Sequence, residues 1–199
     1  DLGRAADEAI ATYAAEVRTP RFGCGLDGLL RQIGGRFSGI LNGIDYQVWD
    51  PATDSLILQS YSRDDFALKA ENKLDVQREF GLALILAIQP ELLRDPRVQL
   101  IVLAAGDWQT EQSLLELASK YPRQVGVFVG YDEARAHRIE AGCDSFLMPS
   151  RFEPCGLNQI YSLRYGAPPI VHRTGGLADT VTDTTPETLA NGSATGFLF

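Results

Sequence analysis

From residue 98 onward, short apolar runs of strand length alternate with segments of helical periodicity. The apolar runs lie at 98–105, 125–129, 145–148, 169–172 and 197–199. The helical segments between them lie at 110–121, 132–141 and 156–165. Strands that are apolar on both faces and alternate with helices belong to parallel sheets covered on both sides. The pattern therefore predicts an α/β fold with a Rossmann-like open parallel sheet, and such sheets bind ligands at the carboxyl ends of their strands.

The first 82 residues hold more loops than the rest of the chain. Apolar spacing predicts a helix over 7–17, and a short apolar run predicts a strand at 37–41. A helix is expected over 62–81 with Ser62 as its N-cap, and another over 83–93. Farther on, the helix at 110–121 is expected to turn three residues inward: Leu114, Leu115 and Leu117.

Charge and cysteine content exclude several classes of function. The chain has 199 residues and a formal charge of −8 at pH 7. Nucleic acids and anionic membranes bind clustered Lys and Arg, so neither is expected as a partner. Three scattered cysteines are too few for a disulfide framework, and none forms a metal-type pair, so no metal site is expected. The longest apolar run, 82–88, is far too short to span a membrane.

The two ends of the sequence look like internal positions of a longer protein. The chain begins with Asp1 rather than Met and stops at Phe199, at the close of an apolar strand. No signal peptide is visible in the N-terminal residues. We therefore expect this chain to be part of a longer protein.

The loop at 149–158 carries the densest set of candidate functional groups. It joins a predicted strand to a predicted helix, and the free N–H groups of the helix start suit a phosphate. These amides belong to Cys155, Gly156 and Leu157. At the mouth of the loop, Glu153 is a suitable acceptor for sugar hydroxyls and Arg151 a suitable partner for anions. A plain helix cap with solvated charges explains the same residues equally well.

A second loop, at 173–177, follows the next strand and holds Thr174 and the glycine pair Gly175 and Gly176. Alone, it would be a plain turn, but loops that follow successive parallel strands can face one cleft. Tyr131 follows the strand at 125–129 and could stack on a base or serve as a core or rim tyrosine. The sequence has no Ser-His-Asp spacing, no Walker lysine and no dinucleotide glycine motif, which disfavours hydrolases, NTPases and NAD enzymes.

Three longer motifs closely resemble bacterial glycogen synthases and plant starch synthases. They are Ser-Arg-Phe-Glu-Pro-Cys-Gly-Leu at 150–157, Arg-Tyr-Gly at 164–166 and Arg-Thr-Gly-Gly-Leu-Ala-Asp-Thr-Val at 173–181. The segment Gly-Ile-Leu-Asn-Gly-Ile-Asp at 39–45 is similar to this family's linker into its second domain, and 22–30 and 69–73 match as well. The resemblance covers nearly the whole chain.

This resemblance implies a two-domain GT-B glycosyltransferase with its active site between two Rossmann-like domains. Residues 1–38 would be a remnant of the N-terminal domain and the interdomain segment, and 39–199 an incomplete C-terminal nucleotide-sugar-binding domain. The implied activity is retaining transfer of glucose from ADP-glucose, or UDP-glucose in some members, to the non-reducing end of an α-1,4-glucan. No metal and no cofactor are implied, and the implied compartment is the bacterial cytoplasm or, alternatively, a plastid.

The resemblance also implies roles for individual residues. Glu153 would be the catalytic residue, in contact with the donor sugar near the reacting centre. The Cys155, Gly156 and Leu157 amides would hold the diphosphate, with Asn158 beside them in the donor-binding loop. The other implied donor-site residues are Tyr131 against the base, Thr174, Gly175 and Gly176 along the donor pocket, and Asn42 on the sugar side of the cleft.

The chain departs from the family pattern at two junctions. Between Leu82 and Ala83 the family has a strand and a loop whose Arg and Lys bind phosphates, and before Thr12 it has a short Val-Ser-Pro segment. A genuine deletion and a gap in the sequence both explain these departures. If Ala11 and Thr12 are not neighbours in the parent protein, 7–11 would be a strand edge and 12–17 a separate helix.

Two other functions remain open at this point. A chain that lacks the phosphate-binding loop could be a nucleotide-binding module without chemistry. Another enzyme on the same architecture, such as a nucleotide-sugar epimerase or a trehalose-phosphate-type synthase, is disfavoured because the run 152–155 is typical of the glucan synthases.

Overall fold

The computed structural model describes residues 11–39, 42–79 and 92–199. These residues form two compact units. The first unit combines the described part of 1–49 with 144–199, and the second is the described part of 50–143.

The helices and strands follow each other in the order that the sequence predicts for the second half of the chain. The α-helices are α1 (Ala11–Glu16), α2 (Asp27–Ile33), α3 (Lys69–Glu79), α4 (Trp108–Lys120), α5 (Glu133–Gly142), α6 (Asn158–Arg164), α7 (Gly175–Thr180) and α8 (Pro186–Ala190). Short 3₁₀ helices lie at Gly34–Arg36, Phe66–Leu68 and Leu92–Arg94. The strands are β1 (Leu100–Ala104), β2 (Val125–Val129), β3 (Phe146–Met148), β4 (Pro169–Val171) and β5 (Phe197–Leu198).

All named strands pair in parallel, as the sequence predicts. In the second unit β1 pairs with β2, in register from Leu100 opposite Val125 to Ala104 opposite Val129. In the first unit the order is β3-β4-β5. The described strands thus form two sheets, where the sequence pattern predicts one. The strand that the family resemblance places between Leu82 and Ala83 would fall at a junction that lies outside the described residues.

Most predicted elements are found within a few residues of their expected bounds, and β2 has the predicted bounds. The helix predicted from Gly156 begins only at Asn158, because Gly156 has a φ of 68°, which no right-handed helix accommodates. The helix predicted from Ser62 begins at Lys69, because the Asp65 carboxylate accepts hydrogen bonds from Ser62 and closes a turn first. Leu115 is 41% exposed, so its predicted inward position is wrong.

Three predictions for the less regular segments lie partly outside the described residues. The helix predicted over 7–17 appears as α1 in its described part, and 7–10 lie outside the described residues. The strand predicted at 37–41 is absent from 37–39, and 40–41 lie outside the described residues. The helix predicted over 83–93 also lies outside them, apart from the start of a 3₁₀ turn at Leu92.

The core of the first unit fixes the carboxyl ends of its strands. Met148 and Val171 close β3 and β4, and they pack with Leu177 and Val181 of the α7 region. Val171 and Leu177 are fully buried. The loops after β3 and β4 therefore start from a rigid, apolar base at one edge of the sheet.

In the second unit, buried polar groups join α3 to the end of α5. The Lys69 ammonium donates to the carbonyl oxygens of Glu140 and Ala141 at 3.1 and 2.8 Å. The Asn72 side chain bonds the main-chain N–H and carbonyl of Gln59. Both residues belong to the motif at 69–73, which therefore includes structural residues. His137 is packed rather than exposed, with its Nδ1 2.8 Å from the Asp54 carboxylate.

None of the helices in the described part of the chain combines the length and the apolar character needed to cross a membrane.

Candidate functional site

A cleft of about 370 Å³ opens in the first unit where β3 ends. The residues that line it are Asn42, Met148, Glu153, Pro154, Cys155, Gly156, Leu157 and Asn158. Six of the residues singled out from the sequence are thus brought together in one cleft. The loop between β3 and α6 supplies Glu153, Cys155, Gly156 and Leu157, and Asn158 is the first residue of α6.

The main-chain N–H groups of Cys155, Gly156 and Leu157 point to no acceptor within the described part of the chain. The carbonyl groups of the same loop are engaged by the side chain of Gln159, which is fully buried. Its Nε2 donates to the Cys155 carbonyl at 2.9 Å and to the Gly156 carbonyl at 3.4 Å. Successive unpaired amides around a residue of positive φ form a concavity that suits anionic oxygen atoms.

Gly156 allows this arrangement for two reasons. Its φ of 68° lies in the left-handed region, which residues with a Cβ adopt at a cost. A Cβ at this position would also lie 2.4 Å from Oε1 of Gln159. The buried glutamine therefore needs a glycine opposite it.

Glu153 is half-buried at the cleft, and a short relay of hydrogen bonds supports its side chain. The Ser150 hydroxyl donates to Glu153 Oε2 at 3.3 Å. His172, which directly follows β4, donates from Nδ1 to the Ser150 carbonyl at 2.8 Å. His172, whose role the sequence leaves ambiguous, thus links the loop after β3 to the end of β4.

Phe152 anchors the same loop on its other side. Its ring stacks on Phe22 with centroids 5.1 Å apart and an interplanar angle of 5°, and it contacts Tyr13 at 5.5 Å. The residue before Glu153 is therefore held in place by two aromatic rings.

The corner at 174–176 packs directly against this loop. The Gly176 amide donates to the Glu153 carbonyl at 3.1 Å. A Cβ on Gly175 would lie 1.9 Å from that same oxygen, and one on Gly176 would lie 2.5 Å from the Cα of Cys155. The two loops are therefore in direct contact within the first unit.

The polar groups of the corner are nevertheless used inside the protein. The Thr174 hydroxyl and the Gly175 amide both donate to Oε1 of Glu16, at 3.1 and 3.2 Å. Thr174, Gly175 and Gly176 are all buried, and none is among the residues that line the cleft. These three residues touch the cleft loop without facing the cleft.

The remaining predicted residues occupy two different settings. The Asn42 amide donates to the Cys155 thiol at 3.4 Å, which ties residue 42 to the cleft loop. Tyr131 belongs to the second unit, where it follows β2 and is 86% exposed. Arg151 is exposed and does not line the cleft. Among the residues that the structure describes, no cluster of three or more His, Cys, Asp or Glu side chains could hold a metal ion.

Two residues that shape this site, Gln159 and Glu16, are not predicted from the sequence. A glutamine placed just after a glycine-containing loop, in a helix otherwise expected to bury apolar residues, is a detectable signal. Glu16 gives no such signal, because its partners lie 158 and 159 residues away in the chain.

Known proteins similar to this chain point to one enzyme class. The family model described as "Glycosyl transferases group 1" matches residues 76–199. Glycogen synthase 2 of Nitrosococcus oceani is 48% identical over 209 residues, which cover 94% of this chain and 42% of that protein. The glycogen synthase of Edwardsiella ictaluri is 48% identical over 211 residues, covering 94% of this chain and 44% of that protein.

A solved structure agrees with these relatives. The catalytic domain of starch synthase IV from Arabidopsis thaliana, bound to ADP and acarbose, matches with a TM-score of 0.82 and 34% identity. The match covers 94% of this chain and 43% of that one. It confirms the predicted α/β fold of the GT-B type. The chain spans less than half the length of the relatives it matches.

Proposed function

Since this chain belongs to the glycosyl transferases group 1 family, we propose that the protein containing it is a glucan synthase. That protein transfers glucose from ADP-glucose to the non-reducing end of an α-1,4-glucan and retains the anomeric configuration. The identity to bacterial glycogen synthases and the ADP in the similar plant structure support this donor and acceptor, with UDP-glucose as the alternative donor.

The observation that carries the proposal is the pairing of a carboxylate with a row of unengaged amides in one cleft. Glu153 and the N–H groups of Cys155, Gly156 and Leu157 line the same 370 Å³ space. Departure of a nucleoside diphosphate builds negative charge on the phosphate oxygens. Fixed main-chain donors stabilise such charge without reorganising, and in many enzymes this stabilisation contributes more to the rate than any other effect.

The proposed roles combine these positions with the roles that the family resemblance implies. Glu153 contacts the donor sugar near its reacting carbon, and the three amides, with Asn158 beside them, hold the diphosphate. Asn42 contacts the sugar side of the cleft, and Tyr131 packs on the base. Thr174, Gly175 and Gly176 support the donor site from within the protein, since their polar groups are engaged by Glu16 and Glu153.

The same proposal covers domain organisation and compartment. We assign 1–38 to the N-terminal domain and interdomain segment, and 39–199 to an incomplete C-terminal nucleotide-sugar-binding domain. The bacterial origin of the similar glycogen synthases supports a cytoplasmic enzyme, and a plastid enzyme is the alternative.

The test is incorporation of labelled glucose from ADP-glucose into glycogen by the intact protein. We expect Glu153→Gln to lower kcat by at least about a hundredfold, because a carboxylate at the reacting centre acts on the transition state. Glu187→Gln is the matched control, since Glu187 is exposed in the first turn of α8 and does not line the cleft. Full activity of Glu153→Gln would refute the assigned role, and absence of transfer by the unaltered protein would refute the function.

A second candidate applies to the 199-residue chain taken alone. Because the chain spans less than half of its relatives, it could bind a nucleotide diphosphate without turnover. Calorimetric titration with ADP, run beside the transfer assay, separates the two: binding without transfer supports this candidate, and transfer by the chain alone refutes it.

A further inference from the structure

The side chain of Glu16, at the end of α1, is bound to the corner that packs against the cleft loop. Its Oε1 accepts one hydrogen bond from the Thr174 hydroxyl at 3.1 Å and a second from the Gly175 amide at 3.2 Å. Thr174 is 4% exposed, so this contact lies away from solvent. A carboxylate is a stronger acceptor than a neutral group, which favours a firm hold on both donors.

The other oxygen of this carboxylate makes the arrangement costly. Oε2 of Glu16 is buried and has no hydrogen-bond partner within the described part of the chain. An unpaired buried acceptor is unfavourable, so a carboxylate kept in this position needs a compensating benefit. The Oε1 contacts with Thr174 and Gly175 supply that benefit.

A second pair of contacts fixes α1 against α7. The Thr12 hydroxyl donates to Asp179 Oδ1 at 2.5 Å, and the Thr12 amide donates to Asp179 Oδ2 at 3.1 Å. Thr12 and Glu16 are four residues apart in one helix and therefore lie on the same face. Together they attach α1 to the start and the end of α7.

The corner held in this way bears on the main chain of the cleft loop. The Gly176 amide donates to the carbonyl of Glu153, and Gly175 approaches that oxygen so closely that no Cβ would fit. Gly176 touches the main chain of Cys155. A shift of the corner would therefore displace both Glu153 and Cys155, whose side chains and amides line the cleft.

We propose that Glu16 is a positioning residue: it fixes the corner at 174–176 and, through it, the main chain of Glu153 and Cys155. Glu16 does not line the cleft, and it acts only through these contacts. The effect on catalysis rests on the proposed glucan synthase function, whereas the effect on the loop does not.

Two conservative variants of the intact protein distinguish the effect of the length of the Glu16 side chain from the effect of its charge. Glu16→Gln keeps the length and an acceptor oxygen, so we expect kcat to fall only a few-fold. Glu16→Asp keeps the charge but is one methylene too short to reach both donors. We expect Glu16→Asp to lower kcat by about 10- to 100-fold with a smaller change in donor KM, because misplacement of reacting groups by ~1 Å has effects of this size.

Glu187→Asp, on the exposed face of α8, is the control for a shortened acid. Equal activity of Glu16→Asp and the unaltered protein would overturn the inference. A loss in Glu16→Gln as large as in Glu16→Asp would overturn it as well, because charge rather than placement would then be the property that matters.

Hydrogen exchange measured by mass spectrometry tests the same inference without any activity. In Glu16→Asp we expect faster exchange in peptides that cover 174–177, whose amides donate to Glu16, Glu153 and Thr174, with Glu16→Gln and Glu187→Asp close to the unaltered protein. Unchanged exchange at 174–177 would overturn the positioning role, because the Gly175 and Gly176 amides donate to Glu16 and to the Glu153 carbonyl. If the unaltered protein transfers no glucose, the proposed function fails, and this exchange experiment still decides the role of Glu16.

Discussion

Replacing Gly175 with alanine would place a methyl carbon where the carbonyl oxygen of Glu153 lies. The ideal Cβ position is 1.9 Å from that oxygen and 2.9 Å from the carbonyl carbon. Both obstacles are main-chain atoms, so no change of side-chain rotamer relieves them. Either the corner at 174–176 or the loop at Glu153 must move by roughly 1.5 Å to restore an ordinary contact.

Two costs add in this variant. Gly175 has a φ of 45°, and a residue with a Cβ adopts such a backbone at a cost of about 1–2 kcal/mol. Forcing an extra carbon into a packed site costs about 1–3 kcal/mol more. We therefore expect Gly175→Ala to reduce the free energy of unfolding by roughly 2–5 kcal/mol. In the fraction that remains folded, we expect kcat for glucose transfer to fall by about a hundredfold.

Gly192 provides a matched control in the same unit. It has a φ of 73°, and a Cβ there would meet nothing within 4 Å. Gly192→Ala therefore carries the backbone cost without the collision. The difference between the two variants isolates the contact between Gly175 and Glu153.

Urea unfolding of both variants gives the stability difference, and the transfer assay on the folded protein gives the catalytic one. If Gly175→Ala is no less stable than Gly192→Ala, the close packing of the two loops is refuted. If Gly175→Ala is less stable than Gly192→Ala but retains full kcat, the close packing of the two loops is supported. The claim that the corner at 174–176 positions Glu153 for catalysis is then refuted.

Two further predictions concern buried polar groups. Burial raises the pKa of Glu140 well above its ordinary value of 4.5, so the folded state favours the protonated acid. Its contribution to stability is complete below about pH 4.5 and is lost as the pH rises through the raised pKa. Glu140→Gln should therefore raise the melting temperature at pH 7 but not at pH 4, and equal shifts at both pH values would contradict this cause. Gln159→Leu would leave the Cys155 and Gly156 carbonyls unpaired, and we expect ADP binding by calorimetry to weaken about tenfold. Unchanged ADP affinity in a folded Gln159→Leu protein would show that the glutamine does not organise the amide row.

The sequence predicts the regular part of the fold because that part depends on local periodicity. β2 has the predicted bounds, and the loop after β3 lines a cleft as expected. The short helices α2, α7 and α8 are not predicted, because a helix of five to seven residues gives only a weak periodic pattern. The helix α6 also has seven residues and is predicted, but with longer bounds, 156–165. The prediction for Leu115 is wrong for a related reason, since three leucines within four residues do not show which of them faces solvent.

Long-range contacts explain what the sequence could not show about the site. The two corners after β3 and β4 look alike in the sequence, since each is a glycine-containing loop that follows a predicted strand. In the structure the first leaves the amides of 155–157 unengaged within the described part of the chain, whereas Gly175 and Gly176 donate to Glu16 and Glu153.

The partners of the second corner decide this difference, and they come from distant parts of the chain. A carboxylate from α1 and a carbonyl from the neighbouring loop use the amides that a ligand would otherwise occupy. The second corner therefore serves as the support and the first as the binding surface. It follows that a bound diphosphate should contact the amides at 155–157 directly. The amides at 175–176 should influence its binding only indirectly, through the hydrogen bond from Gly176 to the Glu153 carbonyl.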